Sequence, residues 1–226
     1  MSFIQTDWII DRLINHGHKA HYVGGCVRDF YFNHPIHDID IATSAPIEEI
    51  IVLFSEHSLD LHLKHFYVVY FNNYPHISIS SYRLEGDYVK HRYPSKVWPT
   101  NRLEDDVKRR DFTINAIYKN SYEVIDLTNG LNDIEKKQIV MINDPMIRLQ
   151  EDALRMYRAC RFSAIYDCVL ESSLAAAIQH HSTLALLLSQ HSRSQEFEKV
   201  IAKQDNQILK RYIQLLTHFN LPVPNL

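Results

Sequence analysis

Apolar and polar positions alternate with two different periods along this chain. Ile4, Trp8, Ile9 and Leu13 fall along one stripe at helical spacing, so the first fourteen residues read as an amphipathic helix. Residues 36–43 switch to a period of two, with Ile39 and Ile41 on one side of a strand and Asp38 and Asp40 on the other. Pro46 to Ser55 returns to helical spacing through Ile47, Ile50, Ile51 and Phe54. Phe66 to Phe71 and Ile77 to Tyr82 are β-branched and aromatic runs punctuated by Asn72, Asn73 and Pro75, the pattern of a hairpin. These elements predict a mixed sheet with a helix packed on one face. Leu84 to Arg102 holds Gly86, Pro94 and Pro99 and reads as a loop. Val124 to Asp133 reads as a strand, a Thr-Asn-Gly turn and a helix start. Arg148 to Phe162 reads as one helix with Leu154, Tyr157 and Phe162 facing a core, and from Val169 onward the chain reads as helical throughout.

Composition narrows the class. The 226 residues suffice for one or two domains with a real core. A hydrophobic share of 46% and a charged share of 23% are ordinary for a globular protein, and no apolar run reaches membrane-spanning length. The N-terminus has no basic stretch followed by an apolar one, so no secretory leader is expected. Cys26, Cys160 and Cys168 have neither paired nor zinc-like spacing, which suits a reducing cytoplasm. The fourteen histidines match no ligand pattern and are read as solvated or structural. A net charge of −3 gives no global attraction to nucleic acid, so any RNA contact has to be a local patch.

Only five glycines occur, and two of them, Gly24 and Gly25, follow Tyr22-Val23 and precede a helix start. Glycine lets backbone approach a ligand closely, free N–H groups at a helix start favour an anion, and Arg28 adds a cationic fork. Asp38 and Asp40 on one strand face beside such a cradle suit Mg²⁺ carrying a nucleoside triphosphate. Taken alone, Gly-Gly is a turn and Asp-x-Asp a solvated edge; their order and spacing together are far more specific. Two longer runs follow: Arg109-Arg110-Asp111-Phe112-Thr113-Ile114-Asn115-Ala116, and Glu151-Asp152-Ala153-Leu154-Arg155 with Arg158 and Arg161. Asp152, Arg155, Arg158 and Arg161 recur every third residue, a row that spirals by about 60° per step on a helix. In isolation such a row is a salt-bridged solvated face.

Together these motifs resemble the polymerase-β-like nucleotidyltransferases, and most closely the family of class II tRNA nucleotidyltransferases (CCA-adding enzymes) and bacterial poly(A) polymerases. The resemblance is strong from Val23 to Phe162 and weak beyond; Gln195 to Lys199 only loosely matches the last motif of the family's neck. It implies an α/β head with a mixed, mostly antiparallel sheet at residues 1–125 and an all-helical neck at 126–226, with the family's body and tail absent or much reduced. It also implies Mg²⁺-dependent, template-independent addition of C and A from CTP and ATP to the 3′ end of tRNA, releasing pyrophosphate. Asp38 and Asp40 become the catalytic metal ligands. Gly24, Gly25, Arg28 and Arg109 become triphosphate contacts, and Arg110, Asp111 and Asn115 brace the pocket. Asp152 accepts from the exocyclic amine of C or A, Arg155 donates to the same base, and Arg158 and Arg161 reach toward sugar or phosphates. The basic and aromatic stretch from Leu84 to Arg102 matches the family's flexible loop, and Arg83, Lys90, Arg92, Lys96 and Arg102 with the neck arginines are expected to supply the RNA patch.

Two departures stand out. The family's usual proline after Asp126 is Leu127, at a hinge-like motif given a structural role. A glutamate usual on the second hairpin strand is Ser78, so either two aspartates suffice, or catalysis is weaker, or the match slips locally. The alternatives are CC addition, poly(A) synthesis, toxin-like transfer to another acceptor, or a catalytically weakened nucleotide- and RNA-binding module. The sequence leaves open the acceptor, the number of residues added, and whether a dimer or partner is needed.

Overall fold

The computed structural model describes residues 2–224. In chain order the elements are α1 (Asp7–Asn15), β1 (Ala20–Tyr22), α2 (Gly25–Tyr31), β2 (Ile39–Thr43), α3 (Ile47–Leu53), β3 (Leu59–Asp60), β4 (Val68–Phe71), β5 (Tyr74–Ser81), β6 (Arg83–Glu85), β7 (Tyr88–Val89), β8 (Tyr93–Pro94), β9 (Val97–Pro99), α4 (Leu103–Arg109), β10 (Ile117–Lys119), β11 (Val124–Asp126), α5 (Gly130–Glu135), β12 (Gln138–Ile139), α6 (Pro145–Glu151), α7 (Leu154–Tyr166), β13 (Val169–Leu170), α8 (Ser172–His181), α9 (Gln190–Ile201) and α10 (Asn206–His218). They divide into two compact units: Met1–Glu85 with Lys96–Leu131, and Gly86–Ser95 with Asn132–Leu226.

The first unit is built on a sheet of order β11-β10-β1-β2-β5-β4-β3. The β2–β5 pair is parallel and every other pair in it antiparallel, so the sheet is mixed and mostly antiparallel. β2 alternates as its sequence requires, with Ile39 and Ile41 fully buried and Asp40 on the open side. The strand is shorter than the apolar pattern suggests: its ladder with β5 opens at Ile39↔Ile77, and Asp38 stands just ahead of it. Ile9, Ile10 and Leu13 of α1 are buried, whereas Ile4 lies in a preceding 3₁₀ turn and is 84% exposed, outside the expected stripe. Asp126 closes the turn after β11 by accepting from the N–H groups of Thr128, Gly130 and Leu131. That is the structural role its motif suggests.

Residues 84–102 are more ordered than their Pro and Gly content predicts. β6 pairs with β9 in the first unit, and β7 pairs with β8 in the second. Such two- and three-residue strands have no periodic signature of their own; the partner strand defines them.

The second unit centres on α7, which packs on α9 and α10, while α6 packs on α8. It is not all helical, because β12 and β13 form a short parallel pair, Gln138↔Val169 and Ile139↔Leu170. Nor is Arg148 to Phe162 one helix. α6 ends at Glu151, Asp152 is extended at φ −135° and ψ 97°, and α7 starts at Leu154. The row of Asp152, Arg155, Arg158 and Arg161 is therefore broken at its first member.

Candidate active site

The site in the first unit starts at Gly24. Its φ of 77° is in the region that side chains disfavour. A Cβ there would lie 3.6 Å from Asp40 Oδ2 and 3.7 Å from Arg110 Nη1, so the Gly-Gly turn lies directly against the carboxylate and the guanidinium. Arg28 is held in place rather than left to swing. Its Nε and Nη2 donate to Asp29 Oδ1 at 3.0 and 2.8 Å, and Nη1 donates to Asn115 Oδ1 at 2.9 Å. Asn115 in turn donates to Asp111 Oδ1 at 2.9 Å. Arg28, Asn115 and Asp111, all singled out in the sequence, thus form one chain of hydrogen bonds.

Asp38 and Asp40 face alternate residues of the neighbouring strand. Ser78 Oγ donates to Asp40 Oδ1 at 2.7 Å, and His76 Nδ1 lies 3.3 Å from Asp38 Oδ1. The register pairs Asp40 with Ser78 across the parallel ladder. Asp40 keeps solvent-accessible surface, yet protein atoms crowd its carboxyl. That desolvation raises its pKa above the ordinary value, aided by the charge of Asp38 and opposed by the Ser78 hydrogen bond and by Arg110 and Arg28.

Arg109 and Arg110 share a partner that sequence reading missed. Asp106 is fully buried and accepts from Arg109 Nε at 2.8 Å, Arg110 Nη2 at 3.0 Å, Tyr118 Oη at 2.5 Å and the Arg83 N–H at 3.3 Å. Burial alone would push its carboxyl up. The two guanidiniums and the Tyr118 hydroxyl outweigh that and hold it far below the usual range. The i+3 and i+4 spacing to two arginines was the available signal. Arg109 also pairs with Glu85, and Arg83 donates to Glu85 and to the Phe66 carbonyl.

In the second unit, Asp152 caps α7 by accepting from the Leu154 N–H at 3.0 Å, and its other oxygen accepts from Arg92 Nη1 at 3.1 Å. Arg92 thus meets a carboxylate of its own chain. Arg155, 3% exposed, donates to the Arg148 carbonyl, to Glu151 and to the Tyr88 hydroxyl, with its guanidinium over the Tyr88 ring. Asp152 and Arg155 are near in sequence, and each is engaged by the segment Gly86–Ser95, Asp152 through Arg92 and Arg155 through Tyr88. The Nε atoms of Arg92 and Arg155 are buried without an acceptor. Arg161 Nε donates to Glu196 at 2.7 Å, and the Arg158 charge also acts on Glu196. Glu196 is a buried carboxylate, and a buried charge needs compensating cations.

Among the described residues, no three His, Cys, Asp or Glu side chains already converge as a metal cage, and no helix is long and apolar enough to cross a membrane. The three cysteines are free and buried.

A fold with one aspartate just ahead of a strand and a second on it, after a Gly-Gly turn and followed by an Arg-Arg-Asp motif, is that of a nucleotidyltransferase head. Residues 20–140 match the family model described as the poly A polymerase head domain, and the chain belongs to this family. It is 42% identical over 200 residues to the CCA-adding enzyme of Bacillus cytotoxicus and 40% identical over 200 residues to that of Bacillus mycoides. Each alignment covers 88% of this chain and 50% of the relative, so the chain spans about half the length of the curated relatives it matches. Among solved structures, the Bacillus stearothermophilus CCA-adding enzyme in complex with CTP matches with a TM-score of 0.82 at 29% identity, covering 96% of this chain and 53% of that one.

Proposed function

We propose that this chain transfers cytidylate and adenylate from CTP and ATP to the 3′ end of tRNA in the cytoplasm, releasing pyrophosphate, with Mg²⁺ as its metal. The observation that carries this reading is Asp40 beside Gly24 and Arg110, with the Asp38 charge close enough to act on it. The donor set fits a hard divalent ion: two carboxylates in mutual electrostatic contact, with Asp40 Oδ1 bonded to Ser78 and Oδ2 turned toward the Gly24 turn. Such an ion, held by Asp38 and Asp40, supplies charge neutralisation and a lowered pKa for the attacking hydroxyl.

The chain's own residues do the rest by positioning. Gly24 and Gly25 offer backbone to the phosphates. Arg28 and Arg109 add positive charge, each held by carboxylates so that little reorganisation is needed when phosphate arrives. Arg110, Asp111 and Asn115 keep that frame fixed. Asp152 accepts from the amine that C and A share and that U and G lack at that place; Arg155 donates to the ring nitrogen or carbonyl. The buried, unpartnered Nε of Arg155 supports a donor made to meet a polar ligand. The named relatives, which are CCA-adding enzymes, support the choice of acceptor.

The test is incorporation from each labelled triphosphate, with Mg²⁺, onto tRNA lacking its 3′ end. The reading expects C and A to be added and U and G refused. Ser78 in place of the usual glutamate favours a second reading, a weakened module that binds nucleotide and RNA; binding of CTP without any transfer supports that one instead.

A further inference from the structure

We propose that Tyr70, backed by His62, is a stacking platform for the unpaired 3′-terminal base of the acceptor RNA. The inference rests on the reading of Asp38 and Asp40 as the centre of transfer to an RNA 3′ end.

Strand register places the ring. β2, β5 and β4 are neighbours in the sheet; Asp40 pairs with Ser78, and Ser78 pairs in turn with Tyr70. Alternate residues share a face, so Tyr70 stands on the side of Asp40 and Ser78, while Val69, Phe71, Ile77 and Ile79 are buried on the other. Two inter-strand spacings of about 4.8 Å put the Tyr70 backbone about 10 Å from that of Asp40, with only the short Ser78 side chain between. Partial burial, and then the charges of Asp40 and Asp38, raise the Tyr70 hydroxyl above its ordinary pKa and keep it neutral.

His62 fixes that ring. The His62 backbone N–H and Nδ1 lie 3.0 and 2.8 Å from Asp60 Oδ1, and Asp60 pairs with Tyr70 across β3 and β4. The two rings are stacked, 17° from parallel with centroids 5.7 Å apart. The His62 side chain is 58% exposed and Tyr70 is half-buried, so the pair is not core packing. A fixed aromatic stack at the open face of the sheet suits a nucleobase, since every base has a π-face to lay on it.

The flank on which Tyr70 lies decides which base it meets. Val23, which continues β1, donates its N–H to the Asp40 carbonyl, and the Gly24 turn that follows lies against Asp40 and Arg110. The phosphate cradle is therefore on the β1 side of β2, and Tyr70 is on the opposite side, beyond β5. In phosphoryl transfer the attacking and leaving oxygens are roughly in line. With the triphosphate at Gly24 and Arg28, pyrophosphate leaves toward β1 and the acceptor hydroxyl arrives from the Tyr70 flank. A terminal nucleotide arriving from that flank carries its base toward the ring.

The experiment uses the full chain without nucleotide. It compares Kd for tRNA lacking its 3′ end with Kd for the same tRNA made abasic at its last residue, with circular dichroism as the folding control. The wild type is expected to prefer the intact end by about tenfold, the scale of one base–aromatic stack. Tyr70→Leu is expected to lose that preference, Tyr70→Phe to keep it, and His62→Ala to reduce it. His62 is exposed, so His62→Ala probes the same stack if Tyr70→Leu does not fold. A wild type without the preference, a folded Tyr70→Leu or His62→Ala variant that keeps it in full, or a Tyr70→Phe variant that loses it overturns the proposal; transfer by the wild type then leaves the activity reading intact. If the wild type neither binds this tRNA nor extends it, the activity reading fails, and this inference with it.

Discussion

Ser78 Oγ donates to Asp40 Oδ1 at 2.7 Å across the parallel β2–β5 ladder. The bond works against the desolvation that raises the Asp40 carboxyl. Removing it in Ser78→Ala raises that carboxyl further, so at any given pH less of it is ionised. A hydrogen bond to a charged group is worth about 1.5–3 kcal/mol. The acid limb of kcat/KM should therefore move to higher pH, by about one to two units at about 1.4 kcal/mol per tenfold. A pH–rate profile checks this; a profile that superimposes on the wild type contradicts it.

Gly130 makes a tighter demand than Gly24. A Cβ at Gly130 would stand 2.3 Å from the Thr113 carbonyl oxygen and 2.8 Å from its carbon, both backbone atoms. Neither can swing away. Gly130→Ala therefore has to displace the segment that carries Asp111 and Asn115. We expect a loss of about 1–3 kcal/mol, in the range of overpacked substitutions, read as a lower denaturant midpoint with an unchanged slope. At Gly24 a Cβ has ordinary contact distances, and the cost of Gly24→Ala comes from its positive φ instead.

Asp106 is the buried centre on which Arg109, Arg110 and Tyr118 converge. Asp106→Asn leaves two guanidiniums short of a counter-charge and should cost about 3–5 kcal/mol. The pH dependence has a definite sign. The folded chain holds this carboxyl below its unfolded value of about 3.9, so the unfolded chain protonates first. The contribution is fully present above about pH 4 and is lost as pH falls toward the folded value. Acid titration of unfolding in wild type and variant should show that slope in the first and not in the second.

The period-two and helical patterns made the sheet strands β2, β4 and β5 and the helix after β2 legible, along with the aspartate pair and the Arg-Arg-Asp run. The break at Asp152 was hidden because Leu149, Ala153, Leu154 and Tyr157 keep an apolar rhythm straight through it, although a single extended residue there turns Asp152 into a helix cap. The short ladders within residues 84–102 were hidden for the opposite reason: Tyr88-Val89 and Tyr93-Pro94 become strands only by pairing with one another. The partners of Arg92 and Arg161 were not legible, because a sequence gives charges without their neighbours. Asp152 and Glu196 are those partners.

That pairing bears on base choice. Asp152→Ala should relax discrimination against UTP and GTP while lowering use of CTP and ATP. One charge-assisted hydrogen bond of about 1.5–3 kcal/mol corresponds to about one to two decades in selectivity. Arg92→Ala removes the partner and keeps the carboxylate, so the ratios of kcat/KM among the four triphosphates should stay near those of the wild type. A common factor for all four in Asp152→Ala assigns Asp152 to helix capping alone.

The central claim is that Asp38 and Asp40 carry the chemistry. Single-turnover incorporation of C and A onto tRNA lacking its 3′ end, run on Asp38→Ala and Asp40→Ala with circular dichroism as the folding control, tests it most directly. Both side chains lie at the open face of the sheet, so the fold should survive and transfer should be abolished. Near-normal transfer by either folded variant contradicts the account.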